Sequence, residues 1–66
     1  MKNKIYELRV LSRYTQEELA KKLGVTRQTV ISLEKERYIP SLEMGFKVAR
    51  LFDKNIEEVF EYLNEE

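Results

Sequence analysis

Residues Gln16 to Lys35 read QEELAKKLGVTRQTVISLEK, two short helical patterns split by one glycine. Thr15 and Glu18 have the S/T-x-x-E spacing of a capping box, and Tyr14 before the cap is placed to staple onto Leu19. Leu19, Ala20 and Leu23 supply the buried side of this helix. Gly24 follows the last periodic residue, where a left-handed backbone favours glycine. The chain restarts at once, with Thr26 as N-cap and Val25 able to staple onto Val30. Two capped helices about three residues apart cannot lie collinear and must cross steeply. The stretch predicts a helix-turn-helix.

Helical periodicity continues on both sides of this stretch. Upstream, Lys4 to Ser12 reads as a first helix with Asn3 as N-cap and Ile5, Leu8 and Leu11 three apart. Arg9 shares much of that inward side, an odd place for a charge. Downstream, Ser41 after Pro40 caps a fourth helix, with Glu43 in its first turn. Through Phe52 its only charges are Glu43, Lys47 and Arg50, a narrow stripe that predicts a helix covered on most sides. A fifth helix opens at Asn55, with Glu58 three residues on and Ile56, Val59, Phe60 and Leu63 on its apolar face. Two glycines, one proline and no alternating hairpin pattern complete an all-α reading, with residues 1–66 as one domain.

Composition narrows the function. A chain of 66 residues holds one small core, with stability on the order of a few kcal/mol. Cys and His are absent, which removes disulfides and thiolate or imidazole zinc sites. No apolar run approaches the roughly 18 residues of a membrane span, and the N-terminus has no signal-peptide pattern. These features predict a soluble cytoplasmic protein. The formal charge is zero, but residues 1–40 hold nine Lys/Arg against five Asp/Glu, +4, while residues 41–66 hold three against seven, −4. Such asymmetry suggests that the first part meets a polyanion.

The third helix carries the functional signal. At about 100° per residue, Val30 and Leu33 define its inward direction. Gln28, Ile31, Ser32 and Lys35 then cluster on the opposite side, and Arg27 sits in the exposed first turn. An ordinary solvated face would carry Glu and Lys, whereas this one presents amide, hydroxyl, guanidinium and a bare Ile. That mixture suits a DNA major groove: Gln pairs with adenine, Arg with guanine, and an aliphatic group rests on a thymine methyl. No carboxylate precedes Glu34 to repel phosphate.

The stretch TQEELAKKLGVTRQTVISLEK, followed by YIPSLEMGFKVARLF, resembles the Cro/C1-type (XRE) helix-turn-helix family over roughly residues 4–62. The resemblance rests on Gln16, Ala20, Gly24, Val25, the run RQT, Glu34 and the run PSL. It implies a five-helix, lambda-repressor-like domain, of the short stand-alone repressor type. It further implies that Gln16 grips backbone phosphate, that Arg27, Gln28 and Ser32 read bases, and that Thr26, Lys35 and Arg37 touch phosphates. Arg9 and Glu34 match a buried ion pair tying the first helix to the recognition helix. Glu36 stands where many relatives end that helix with glycine, Asp53 replaces a frequent glycine, and Gly45 replaces a small apolar residue. Relatives of this length sometimes pair short terminal strands. Here NKI and VFEYL offer that pairing, yet Ile56 to Leu63 reads at least as well as helix.

These residues predict a sequence-specific regulator of double-stranded DNA, probing the major groove as a repressor and homodimer. Apolar surface in the C-terminal part, with Phe60, Val59 and Leu63 as candidates, predicts the dimer interface, with a place in the core of its own chain as the other reading of Phe60. A protein-binding adaptor or antitoxin-type module on the same fold is the alternative. An enzyme is not expected, because no catalytic, metal, cofactor or small-molecule constellation is evident.

Overall fold

Side-chain caps set where the helices begin. The computed structural model describes residues 1–62 as β1 (Lys2–Asn3), α1 (Ile5–Leu11), α2 (Gln16–Leu23), α3 (Arg27–Glu34), α4 (Leu42–Leu51), α5 (Ile56–Val59) and β2 (Phe60–Glu61). Thr15 and Glu18 form the expected reciprocal box, with the Thr15 hydroxyl accepting from the Glu18 N–H at 3.0 Å and the Glu18 carboxylate accepting from the Thr15 N–H at 2.8 Å. Thr26 and Ser41 cap α3 and α4 by accepting from the N–H groups of Thr29 and Met44. Asn3 is not the N-cap of α1, since Lys4 occupies that position. Its side-chain oxygen reaches past Lys4 to accept from the Ile5 N–H at 3.0 Å.

The first four helices end in the same way. Arg13, Gly24, Glu36 and Asp53 each follow a helix with positive φ, at 63, 75, 59 and 58°. Each donates its N–H to the carbonyl three residues back, and the next residue donates to the carbonyl five back, as in Gly24 to Lys21 and Val25 to Ala20. This paired closure satisfies the last carbonyls of a helix and turns the chain sharply. Only one of the four positions is glycine, so at the other three a side chain is held in a backbone region that costs about 1–2 kcal/mol.

The N-terminal and C-terminal segments close into a clip. β1 and β2 are antiparallel, with Lys2 opposite Glu61 and Asn3 opposite Phe60, and the Lys4 N–H donates to the Val59 carbonyl at 2.8 Å. The terminal strand pairing therefore prevails over a helix to Leu63. α5 is a single turn, because Phe60 leaves helical geometry at φ −116°, ψ 133°. A β-branched Val59 followed by aromatic Phe60 suits a strand, and β1 supplies the backbone partners that an isolated turn lacks. Among the described residues the fold is five-helical with one two-stranded addition.

One continuous core joins the helices through Ile5, Leu19, Leu23, Val30, Leu33, Val48 and Val59, all fully buried. Leu11 does not join it and is 78% exposed. Residues three apart drift by about 60° per step on a helix, so Leu11 lies about 120° round from Ile5.

Candidate nucleic-acid interface

α2 and α3 pack against each other across the Gly24 turn, and Val30 and Leu33 bury the inner side of α3. The opposite side follows directly. Arg27, Gln28, Lys35 and Arg37 are exposed, while Ile31 and Ser32 are half-buried at its flank. The first turn of α3 carries no acid, so its free N–H groups and helix dipole are unopposed for an anion. Thr26 is engaged locally: its hydroxyl accepts from the Thr29 N–H and lies 3.1 Å from the Thr29 hydroxyl. When Thr29 donates in that pair, Thr26 keeps its own proton for an outside acceptor.

The end of α3 is tied down by charge. Arg9 on α1 and Glu34 form a salt bridge through Arg9 Nε and Glu34 Oε2, and Arg9 Nη2 donates to Glu34 Oε1 at 3.3 Å. The two side chains are only 11% and 7% exposed. Arg9 Nη1 also donates to the Tyr14 carbonyl at 2.9 Å, which locks the loop entering α2. Gln16 Nε2 donates to Glu34 Oε1 at 3.1 Å, so the expected phosphate-gripping amide is braced against the recognition helix. Its second N–H and its carbonyl stay available, and Gln16 lines an open hollow with Arg9, Thr15, Glu17 and Arg27. The inward charge of Arg9 is thereby explained.

Three supporting side chains escaped the sequence reading. Lys47 Nζ donates to the Leu23 carbonyl at 2.9 Å, so a residue assigned to a solvated stripe braces the last turn of α2 beside Gly24. Asn3 Nδ2 donates to the Leu33 carbonyl at 2.8 Å. Glu36, the acid in a glycine-type position, turns its carboxylate to the Asn3 N–H at 2.9 Å. None carries a local sequence signal, because each partner is a backbone group at least 24 residues away.

The candidate interface residues of the C-terminal part need correction. Val59 and Phe60 are 1% and 9% exposed, so both belong to the core of this chain and leave almost nothing for a partner. Leu63 lies outside the described residues. Among the described residues there, the exposed large hydrophobic side chains are Tyr62 at 79%, Leu42 at 71% and Phe46 at 47%, the last two one helical turn apart on α4. Ile56 lies between two shallow hollows, one lined by Phe46 and Arg50 and the other by Leu42 and Met1, which joins these residues into one patch. No helix among the described residues is long and apolar enough to cross a membrane.

A family model described as helix-turn-helix matches residues 5–59. The chain is 53% identical over 66 residues to a protein of Methanocaldococcus jannaschii named an uncharacterized HTH-type transcriptional regulator, covering 100% of both chains. It is 48% identical to similarly named proteins of Bacillus subtilis and Archaeoglobus fulgidus, covering all of this chain and 98% and 94% of theirs. With the capped helix pair, the acid-free outer face of α3 and these matches together, the chain belongs to the Cro/C1-type helix-turn-helix family of transcriptional regulators.

Proposed function

We propose that the protein is a sequence-specific repressor that lays α3 in the major groove of double-stranded DNA. The outer face of α3 carries this reading, since it offers directional polar groups with no carboxylate before Glu34 and is held by the Glu34 anchor. Arg27, Gln28 and Ser32 read base edges, and Ile31 rests on a thymine methyl. Gln16, Thr26, Lys35 and Arg37 grip phosphates and fix the register. Residues 1–66 act as one DNA-binding unit in the cytoplasm.

Two copies act together. One recognition helix touches too few base pairs for selectivity, whereas two related by a two-fold axis read half-sites about 34–36 Å apart. The patch of Leu42, Phe46 and Ile56 supports a self-complementary contact, and the acidic balance of residues 41–66 suits a part turned from DNA. The operator is then an imperfect inverted repeat. Selection of bound fragments from a random duplex pool, followed by mobility-shift titration at several salt concentrations, tests this. A palindromic consensus with binding that weakens steeply as salt rises is expected. Equal affinity for every duplex, even at low salt, overturns it.

A further inference from the structure

The last turn of α3 is also clasped by the N-terminal strand, through a residue that is not itself among the proposed DNA contacts. Asn3 Nδ2 donates to the Leu33 carbonyl at 2.8 Å, Asn3 Oδ1 accepts from the Ile5 N–H at 3.0 Å, and the Asn3 N–H donates to Glu36 Oε2 at 2.9 Å. The same residue stands opposite Phe60 in the strand pair. One asparagine thus joins the end of α3 to the start of α1 and to β2. We propose that Asn3, held by Glu36, is a positioning residue for base reading, fixing the tilt of the recognition helix. The inference rests on the DNA-reading role of α3 proposed above.

Two observations carry it. Glu36 sits at φ 59°, a position that favours glycine, and its carboxylate is what holds the Asn3 N–H. A glycine would relax the backbone and lose that bond. The geometry of reading supplies the second. The eight residues of α3 span about 12 Å, so a tilt of about 10° pivoting at one end moves the other by about 2 Å. Base-edge hydrogen bonds fail over such a displacement, since useful donor–acceptor distances lie within a few tenths of an ångström. Long Lys and Arg side chains follow a phosphate over that range. Loosening the clasp therefore removes selectivity while leaving general affinity in place.

The test uses the full chain, the best duplex recovered from a random pool, and a random duplex of equal length. Asn3→Ala is expected to lower the ratio of the two affinities about tenfold, the equivalent of one weakened base contact, with the salt slope unchanged. Asn3→Asp keeps the acceptor for Ile5 but sets an oxygen against the Leu33 carbonyl, so it behaves like the alanine variant. Glu36→Gln retains an acceptor oxygen and the wild-type ratio, whereas Glu36→Ala loses selectivity. Thermal melts establish that each variant is folded at the assay temperature, and the two Glu36 variants decide the matter if Asn3→Ala is not. Equal losses on both duplexes, or an unchanged ratio in Asn3→Ala and Glu36→Ala, overturn the positioning role. A wild type with no preference for any duplex is a distinct result, which overturns the repressor reading and this inference with it.

Discussion

The outer face of α3 and the outer face of α4 are both unusual surfaces, and they are built in opposite ways. On α3 the exposed groups are polar and directional, and the helix beneath them is fixed by Arg9, Gln16 and Asn3 from three other elements. On α4, beside the charged stripe of Glu43, Lys47 and Arg50, the exposed face includes Leu42 and Phe46, which need only contact area. Hydrogen bonds to base edges demand a fixed geometry, whereas apolar burial is non-directional and tolerates adjustment. A surface meant for reading is therefore recognisable by the anchors behind it, and a surface meant for association by what it leaves exposed. Substitutions on each face test this contrast.

The largest effect is expected behind α3. Arg9→Ala or Glu34→Ala leaves the other charge nearly buried and unpaired, which costs about 3–5 kcal/mol. That is comparable to the whole stability of a domain this size, so either variant should melt far below the wild type. The double change Arg9→Met with Glu34→Leu removes both charges and should recover most of the loss in chemical denaturation. It also frees Gln16 and the end of α3, so DNA selectivity should stay impaired. A double-mutant cycle with no coupling between the sites contradicts the anchor role.

The face of α4 should respond in association rather than folding. Phe46 is already half covered within the chain, so Phe46→Ala removes about 1–1.5 kcal/mol of burial per copy. A two-fold contact counts that loss twice, giving about 2–3 kcal/mol in dimerisation. Analytical ultracentrifugation at micromolar concentration should show the wild type as a dimer and the variant shifted toward monomer. A wild type that stays monomeric both free and on DNA removes the dimer from the proposal.

On the reading face itself, Gln28→Ala should cost about 1–3 kcal/mol on the best duplex and relax preference at one base position. Lys35→Ala should weaken all duplexes alike and flatten the salt slope by about one unit. If Gln28→Ala weakens specific and random duplexes equally, Gln28 does not read a base.

What the sequence made legible follows from the range over which each feature acts. The caps of α2, α3 and α4, the glycine end of α2 and the inward faces depend on residues within one turn, so local spacing was enough. The ion pair of Arg9 and Glu34 was legible only through family resemblance, since 25 residues separate the partners. Beyond that reach, local signals misled. Phe60 looked like one more apolar residue on a helical face, but its partner is Asn3 at the other end of the chain, and strand pairing moved it into the core. Lys47 looked solvated because the carbonyl it meets belongs to another helix.

The smallest effects discriminate best, because they separate stability from reading. A methyl added at Gly45 on α4 would meet Phe60 Cε2 at 3.7 Å and Ile56 Cδ1 at 3.8 Å, ordinary contact distances. Gly45→Ala should therefore gain about 0.5–1 kcal/mol from helix propensity and lower unfolded-state entropy. Asp53→Gly at the end of α4 relieves a positive φ and should gain about 0.5 kcal/mol, partly offset by the freer unfolded chain. Neither change removes a hydrogen bond that anchors α3, so melting temperature should rise while the specific-to-random affinity ratio stays at the wild-type value. Glu36→Gly makes the same backbone correction at the end of α3 but loses the bond to the Asn3 N–H. Its stability should change by less than about 1 kcal/mol, as relief and lost hydrogen bond oppose each other, while selectivity falls. Equivalent backbone positions on the two helices would then differ in function and not in fold. Should Glu36→Gly read DNA as selectively as Asp53→Gly, the end of α3 is an ordinary helix terminus and the contrast between the two faces loses its physical basis.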